Sequence, residues 1–168
     1  MSGSEAVQDH YPEDVAHCFG CGRLNRDGHQ LKTVWEGEET VSRFRPGPEH
    51  TAIPGYVYGG LLASLLDCHG TGTAALAALR REGRKLQAGG APRFVTASLQ
   101  VDYLKPTPLG PELVVRGKVA DISDRKVVVE ATLSAEGAVT VRGKIVAVRM
   151  PAGMIAADEG HRLHPQGP

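Results

Sequence analysis

One segment of the chain differs from the rest in its hydrophobic periodicity. Within residues 54–82, apolar positions recur at helical spacing and Ala fills most of the places between them, the leucines being Leu61, Leu62, Leu65, Leu66, Leu76 and Leu79. This pattern predicts a helix that is buried on much of its circumference. Gly70 and Gly72 each cost about 1 kcal/mol relative to Ala inside a helix, so their presence indicates that another element packs closely there.

The remaining pattern has a period of two residues, which is typical of strands. Residues 31–35 and 40–45 predict a hairpin around a Glu36-Gly37 turn. The second half predicts four more antiparallel strands with one apolar face each. The residues of these apolar faces are Val95, Ala97, Leu99, Val101 and Tyr103; Leu113, Val115 and Val119; Val127, Val129, Ala131 and Leu133; and Val139, Val141, Ile145 and Ala147.

The order of the elements sets the fold class. Two strands, one long helix and four strands contain no alternation of strand and helix, which excludes a parallel βαβ architecture. We predict an α+β fold in which an antiparallel sheet of about six strands wraps around one long central helix. The 168 residues contain no repeat and suffice for one domain. We expect a flexible N-terminal arm over residues 1–16, a single domain over residues 17–150 and a loose C-terminal tail over residues 151–168.

Composition excludes several classes of partner. Lys and Arg together number 19, as do Asp and Glu, so the net charge does not favour nucleic acid. Charged residues interrupt every apolar run before it reaches the roughly 20 residues that a membrane span needs. The N-terminus MSGSEAVQDH lacks the order of a signal peptide, and three cysteines are an odd number. We therefore expect a cytoplasmic protein with reduced thiols.

The predicted helix carries the best candidates for chemistry. Asp67 lies inside an apolar helix, and Gly59-Gly60 lies where the helix should begin, so free N–H groups there could stabilise an oxyanion. Gly59 and Asp67 are eight residues apart, which is about 12 Å along one helix. Both can act on one small group only if two helices run antiparallel past each other. A two-fold homodimer meets this condition and contains two equivalent sites.

A second motif lies near the N-terminus. Cys18 and Cys21 have C-x-x-C spacing beside His17. The motif could be half of a zinc site with His10 or His17 as a further ligand, or a Gly-rich turn with two partly buried thiols. No second C-x-x-C or H-x-x-x-H follows, so the sequence favours the turn and we expect no metal. A thioredoxin-type redox role is disfavoured because no βαβ pattern surrounds the pair.

Three segments together resemble a known family. They are CFGCG, PGYVYGGLLASLLD and VTASLQVDYLKPTP. With the predicted strand order, they resemble hot-dog-fold acyl-CoA thioesterases of the PaaI-like, thioesterase superfamily member 4-like branch, over roughly residues 18–149. In that family the helix opens with His-Gly-Gly and an acidic residue follows nine positions after the His. Here the frame is Tyr58-Gly59-Gly60 with Asp67, so the acidic residue matches and the histidine does not.

The resemblance implies four catalytic roles. Asp67 would be the general base or the nucleophile for thioester hydrolysis. The backbone N–H of Gly59 would polarise the thioester carbonyl. Thr96, which the period of two places on the polar face, would position water or the carboxylate, and His50 would form a hydrogen bond near the carbonyl.

The resemblance also implies substrate-binding positions. Tyr58 and Gly60 would border the reacting group, and the Tyr58 hydroxyl could replace the family histidine in ordering the loop. If that histidine takes part in the chemistry, the protein would be slow or would only bind acyl groups. Arg80 and Arg84 would either end the helix in solvent or bind the phosphates of coenzyme A.

These expectations combine into one hypothesis with two alternatives. The leading hypothesis is a homodimeric acyl-CoA thioesterase of fatty acid metabolism, with a dimer of dimers left open and no cofactor beyond the coenzyme A of the substrate. One alternative is a noncatalytic acyl- or ligand-binding hot-dog protein. The other is a hot-dog dehydratase acting on a 3-hydroxyacyl thioester, which would need His69 or His50 beside the acid.

Overall fold

The computed structural model describes residues 5–155 and confirms the predicted architecture. One helix, α1, spans Gly59–Arg81. The six strands are β1 (Thr33–Glu36), β2 (Glu39–Phe44), β3 (Phe94–Tyr103), β4 (Leu113–Ile122), β5 (Lys126–Ala135) and β6 (Ala138–Arg149). They form one antiparallel sheet in the order β1-β2-β4-β5-β6-β3. Helix α1 contacts all six strands, as expected of a central helix enclosed by a sheet.

Helix α1 fits against the sheet because two of its positions have no side chain. A Cβ atom on Gly70 would lie 2.6 Å from Ile145 Cγ2, and one on Gly72 would lie 2.7 Å from Thr33 Oγ1. Both distances are too short for real side chains, so the close packing predicted from these glycines is confirmed. The four predicted apolar residues of β5 are all buried against the helix side, and they are Val127, Val129, Ala131 and Leu133.

Register shifts in the sheet change the predicted faces of β3 and β6. The pairing of β3 with β6 shifts between Thr96 and Ser98, so Ala97 is an extra residue. This bulge breaks the period of two and turns Thr96 toward α1. The pairing of β5 with β6 also shifts, because Leu133 pairs with Val141 and Ser134 with Val139. This shift leaves Val139 37% exposed and Thr140 buried. The prediction that Val139 belongs to the core is therefore wrong.

The N-terminal segment differs from the predicted flexible arm. Residues 5–16 form two short 3-10 turns, and Val7, Tyr11 and Ala16 are buried. The side chain of Gln8 anchors the segment, because its Nε2 donates to Thr33 Oγ1 at 3.0 Å and its Oε1 accepts from the Thr33 N–H at 2.8 Å. The polar composition of this segment predicted flexibility, but its buried apolar side chains and the hydrogen-bonded Gln8 amide hold it against the domain.

The far end of the domain carries little structure. Residues 151–155 are exposed and contain one 3-10 turn, and the rest of the predicted tail lies outside the described residues. Within residues 5–155, no helix is both long enough and apolar enough to cross a membrane.

Strand β3 forms one edge of the sheet and leaves apolar side chains uncovered. Within residues 5–155, this ten-residue strand pairs only with β6. Leu99 is 36% exposed and Tyr103 is 54% exposed, and Leu104 beyond the strand is 48% exposed. Sequence alternation predicted an apolar face on this strand, but much of that face lies uncovered by the described part of the chain.

Candidate active site

The first two residues of α1 keep their N–H groups free of partners within residues 5–155. Tyr58 is the N-terminal cap in extended conformation, with no side-chain capping bond, and its own N–H donates to the His50 carbonyl at 3.0 Å. Gly59 and Gly60 follow as the first helical residues, and N–H groups at these positions have no acceptor inside a helix. The Tyr103 hydroxyl donates to the Gly59 carbonyl at 2.7 Å, which ties the helix start to the end of β3.

A cleft of about 410 Å³ opens beside this first turn. It is lined by Val57, Gly59, Leu62 and residues 103–107. The walls combine apolar side chains with the open end of a helix, whose dipole favours negative charge. The cleft can therefore hold a chain that is apolar along its length and polarised at one end.

Asp67 lies on the partly exposed side of α1 and has a single side-chain partner among residues 5–155. The Thr96 hydroxyl donates a hydrogen bond to Asp67 Oδ1, across the gap between α1 and β3. Within residues 5–155, no Lys, Arg or His forms an ion pair with this carboxylate. The other oxygen is left to meet water or substrate.

Gly59 and Asp67 remain apart within one chain. Both lie on the same straight helix, and eight residues correspond to about 12 Å along its axis. A single thioester carbonyl cannot contact the N–H of one and the carboxylate of the other in this protomer. The structure brings Thr96 to Asp67 and Tyr103 to Gly59, but it does not bring the two groups to each other.

His50 orders the loop that precedes α1. Its Nδ1 accepts a hydrogen bond from the Gly47 N–H at 2.9 Å, and its ring lies 5.6 Å from the ring of Phe44. The ring of His29 lies 5.4 Å from that of His50 and 5.2 Å from that of Phe44, so the three rings form one cluster. Burial, followed by the nearby His50, lowers the pKa of His29. His29 was missed by sequence reasoning, since no spacing relates it to the loop.

The Tyr58 hydroxyl does not order the loop by a hydrogen bond to any of residues 5–155. The side chain is 44% exposed. Its ring covers Gly60, where a Cβ atom would lie 2.3 Å from Tyr58 Cε2. Tyr58 and Gly60 thus form the outer surface of the helix start, at the predicted location.

Arg80 and Arg84 lie at the opposite end of α1. The Arg80 guanidinium stacks 3.6 Å over the Trp35 ring, and Arg84 pairs with Glu82 at 2.9 Å. A groove of about 520 Å³ beside Arg80 also contains Arg81 and Lys118. Gly59 is about 30 Å away along the helix axis, so these cations do not belong to the same protomer's cleft.

His69 is engaged in a buried polar network that faces away from Asp67. Its Nδ1 is 2.8 Å from Ser42 Oγ and its Nε2 is 3.2 Å from Thr40 Oγ1. Complete burial lowers the pKa of His69 to about 3, so the ring is neutral and inaccessible. The expectation that His69 could serve a dehydratase is therefore wrong.

The C-x-x-C pair acquires a third thiol from the helix. Cys68 of α1 meets Cys18 and Cys21, and the three sulfur atoms lie within 4.8 Å of one another. Hydrogen bonds from the Cys21 and Cys68 thiols lower the pKa of Cys18. The bond between Cys18 and Cys21 raises the pKa of Cys21 to about 11. Sequence reasoning missed Cys68 here, because its distance along the chain gave no spacing signal.

Comparison with known proteins identifies the family of the chain. The Thioesterase superfamily profile matches residues 54–142, just over half of the chain. Mouse (Mus musculus) acyl-coenzyme A thioesterase THEM4 is 34% identical over 96 residues, or 57% of this chain. The match spans only 36% of the length of that relative.

Solved structures give the same result. A thioesterase superfamily protein from Shewanella loihica PV-4 is 50% identical, with a TM-score of 0.64 over 82% of this chain and 96% of its own. Smu.793 from Streptococcus mutans, solved with acetyl CoA, shares the fold at 16% identity, with a TM-score of 0.57 over 76% of this chain and 94% of its own. By the profile match and the Shewanella relative, the chain belongs to the thioesterase superfamily.

Proposed function

We propose that this protein hydrolyses acyl-coenzyme A thioesters in a site shared by two copies of the chain. The observation that carries the proposal is the Asp67 carboxylate, held by the Thr96 hydroxyl, on a helix whose first turn presents free N–H groups. The family membership supports a thioester as substrate. Coenzyme A as the thiol is supported by the name of the mouse relative and by the acetyl CoA of the Streptococcus protein.

The exposed edge strand supports the dimer. Long, unpaired edge strands attract another strand, so natural proteins cover them. Two β3 strands pairing antiparallel about a two-fold axis would cover Leu99 and extend the sheet. The same axis would place the two α1 helices antiparallel, with Gly59 of one protomer near Asp67 of the other.

Hydrolysis then needs few groups. Asp67 takes a proton from a water molecule, and the water oxygen attacks the thioester carbon. The N–H of Gly59, in the opposing protomer, stabilises the oxyanion in the tetrahedral intermediate. The C–S bond then breaks, and the thiolate of coenzyme A leaves and is protonated. In the second route, Asp67 attacks the thioester carbon directly, and the C–S bond breaks with release of the coenzyme A thiolate. Water then hydrolyses the resulting anhydride, which frees the acid and restores the Asp67 carboxylate.

The cleft beside the helix start and the groove with Arg80 would bind the two ends of the substrate. The acyl group or the pantetheine arm would lie in the cleft of Val57, Leu62 and residues 103–107. The groove with Arg80 offers guanidinium groups to the phosphates of coenzyme A, and Arg84 lies nearby in sequence. His50 supports the loop beside the oxyanion site through the Gly47 N–H.

Thiol release from a panel of acyl-CoAs, short aliphatic to long-chain and phenylacetyl, tests the proposed hydrolysis. We expect turnover by the parent protein and a loss of at least about 100-fold in kcat for Asp67→Asn. Asp121→Asn, at an exposed aspartate on β4 and away from the proposed dimer edge, is the matched control and should retain activity. Binding of acyl-CoA without turnover of any panel member would contradict the proposal and favour a noncatalytic acyl-binding protein.

A further inference from the structure

Three thiols that the proposed reaction does not use converge where the N-terminal segment meets α1. The sulfur atoms of Cys18 and Cys68 are 3.8 Å apart, and Cys21 completes a triangle with all sides within 4.8 Å. A tetrahedral zinc ion with Zn–S bonds of about 2.3 Å holds its sulfur ligands about 3.8 Å apart. The triangle already has approximately the size of such a site.

The backbone of the turn is shaped around these sulfur atoms. A Cβ atom on Gly20 would lie 2.3 Å from Cys68 Sγ, so the turn can approach the helix only because this residue is glycine. The Gly22 N–H donates to the Cys18 carbonyl at 2.7 Å and closes the turn that contains Cys18 and Cys21. The thiolate is the form of cysteine that binds metal.

A half-buried cation lies beside the cluster. The Arg93 guanidinium approaches Cys21 Sγ at 4.0 Å and rests 4.7 Å over the ring of Tyr11. Its other terminal nitrogen is buried and has no hydrogen-bond partner in residues 5–155. Three thiolates around a divalent cation carry one net negative charge, which the guanidinium would balance.

We propose that Cys18, Cys21 and Cys68 bind one thiophilic metal ion, zinc, with water in the fourth position. Soft thiolate ligands select zinc or copper(I) over hard cations. No other His, Cys or carboxylate of residues 5–155 joins the cluster. Metal binding releases the thiol protons and links the N-terminal turn to the helix residue that follows Asp67. The ion stabilises the fold and takes no part in the proposed hydrolysis.

The test uses the full chain, reduced and metal-free under anaerobic conditions. Zn²⁺ is titrated in competition with a chromogenic chelator, and Co²⁺ serves as a spectroscopic probe. We expect one Zn²⁺ per chain and sulfur-to-cobalt charge-transfer absorption. Copper(I) is titrated in a parallel arm, and binding of copper(I) without Zn²⁺ would overturn the assignment of zinc.

Serine variants distinguish the cluster from adventitious binding. Cys18→Ser, Cys21→Ser and Cys68→Ser should each lower Zn²⁺ affinity by more than the roughly 10- to 100-fold that follows loss of an outer-shell partner. His17→Ala is the matched control and should bind like the parent, because His17 lies outside the cluster. Circular dichroism checks that each variant is folded, and the half-buried Cys18 is the substitution least disturbing to the core. Unchanged affinity in a folded cysteine variant, or loss of binding in His17→Ala, would overturn the site.

Discussion

At the scale of single residues, the proposed hydrolysis depends on the N–H group of Gly59 and on the Thr96 hydroxyl that positions Asp67. Gly59 is the first residue of α1, and Tyr58 before it has φ −71° and ψ 141°. Proline is accepted at the first helical position, and the residue before proline prefers this extended conformation. The N–H of Gly59 can therefore be removed with little disturbance of the helix.

Gly59→Pro is expected to lower kcat by about 10²- to 10³-fold, because the oxyanion loses a preorganised donor. Gly59→Ala is the control, since it adds the same Cβ contact with Tyr103 at 3.2 Å but keeps the N–H. Steady-state thiol release from an accepted acyl-CoA measures both variants. Equal losses in the two variants would mean that the side-chain contact matters and the N–H does not.

Thr96→Val should lower kcat by about tenfold, because the Asp67 carboxylate loses the hydroxyl that positions it. Thr96→Ser retains a hydroxyl and should preserve most of the activity. Stopped-flow or steady-state hydrolysis of the same substrate gives the comparison. A valine variant as active as the parent would show that this hydrogen bond is structural.

Thr96 also shows where sequence reasoning fails at this scale. The period of two places Thr96 on the polar face, yet its hydroxyl contacts the helix because Ala97 forms a bulge. Local alternation carries no signal for an inserted residue in a strand. Asp67 could be identified from sequence, because a carboxylate in an apolar helix is costly without a partner.

At the scale of elements, the contact between α1 and the sheet contains one buried polar network. His69 bonds to Ser42 and Thr40 of β2, and Thr73 on the next helical turn bonds to Thr40 at 2.6 Å. A Cβ atom on Gly117 of β4 would lie 2.5 Å from His69 Nε2, so the network fills its space. The sequence predicted the helix and the strands but gave no signal that His69 would be enclosed between them.

The pKa of His69 is about 3 in the folded protein and about 6.5 when unfolded. Above pH 6.5 the His69 ring is neutral in both the folded and the unfolded state. Between pH 6.5 and about pH 3 only the unfolded state binds the proton, so the free energy of unfolding decreases as the pH is lowered through this range. This group alone should remove about 2 kcal/mol of unfolding free energy between pH 7 and pH 5. Urea denaturation of the parent and of His69→Gln at both pH values measures this loss of unfolding free energy. An equal loss between pH 7 and pH 5 in the two proteins would contradict the assignment to His69.

At the scale of the whole molecule, the exposed edge strand β3 and the axial distance between Gly59 and Asp67 both support the proposed homodimer. The architecture could be predicted because element order and periodicity are local properties of sequence. The convergence of Cys68 with the C-x-x-C turn, and the exposure of β3, depend on contacts between distant segments. The predicted homodimer follows from the axial distance between Gly59 and Asp67, which no single chain can close.

A heterodimer of two inactive variants tests the shared site most directly. Gly59→Pro and Asp67→Asn chains are co-expressed with different affinity tags, and the mixed dimer is isolated by tandem purification. One of its two sites then has both an intact Gly59 and an intact Asp67, and the other has neither. We predict about half of the unsubstituted protein's kcat per dimer, although the homodimers of Gly59→Pro and of Asp67→Asn are each nearly inactive. A mixed dimer no more active than either of those two homodimers would contradict a site formed across the two protomers.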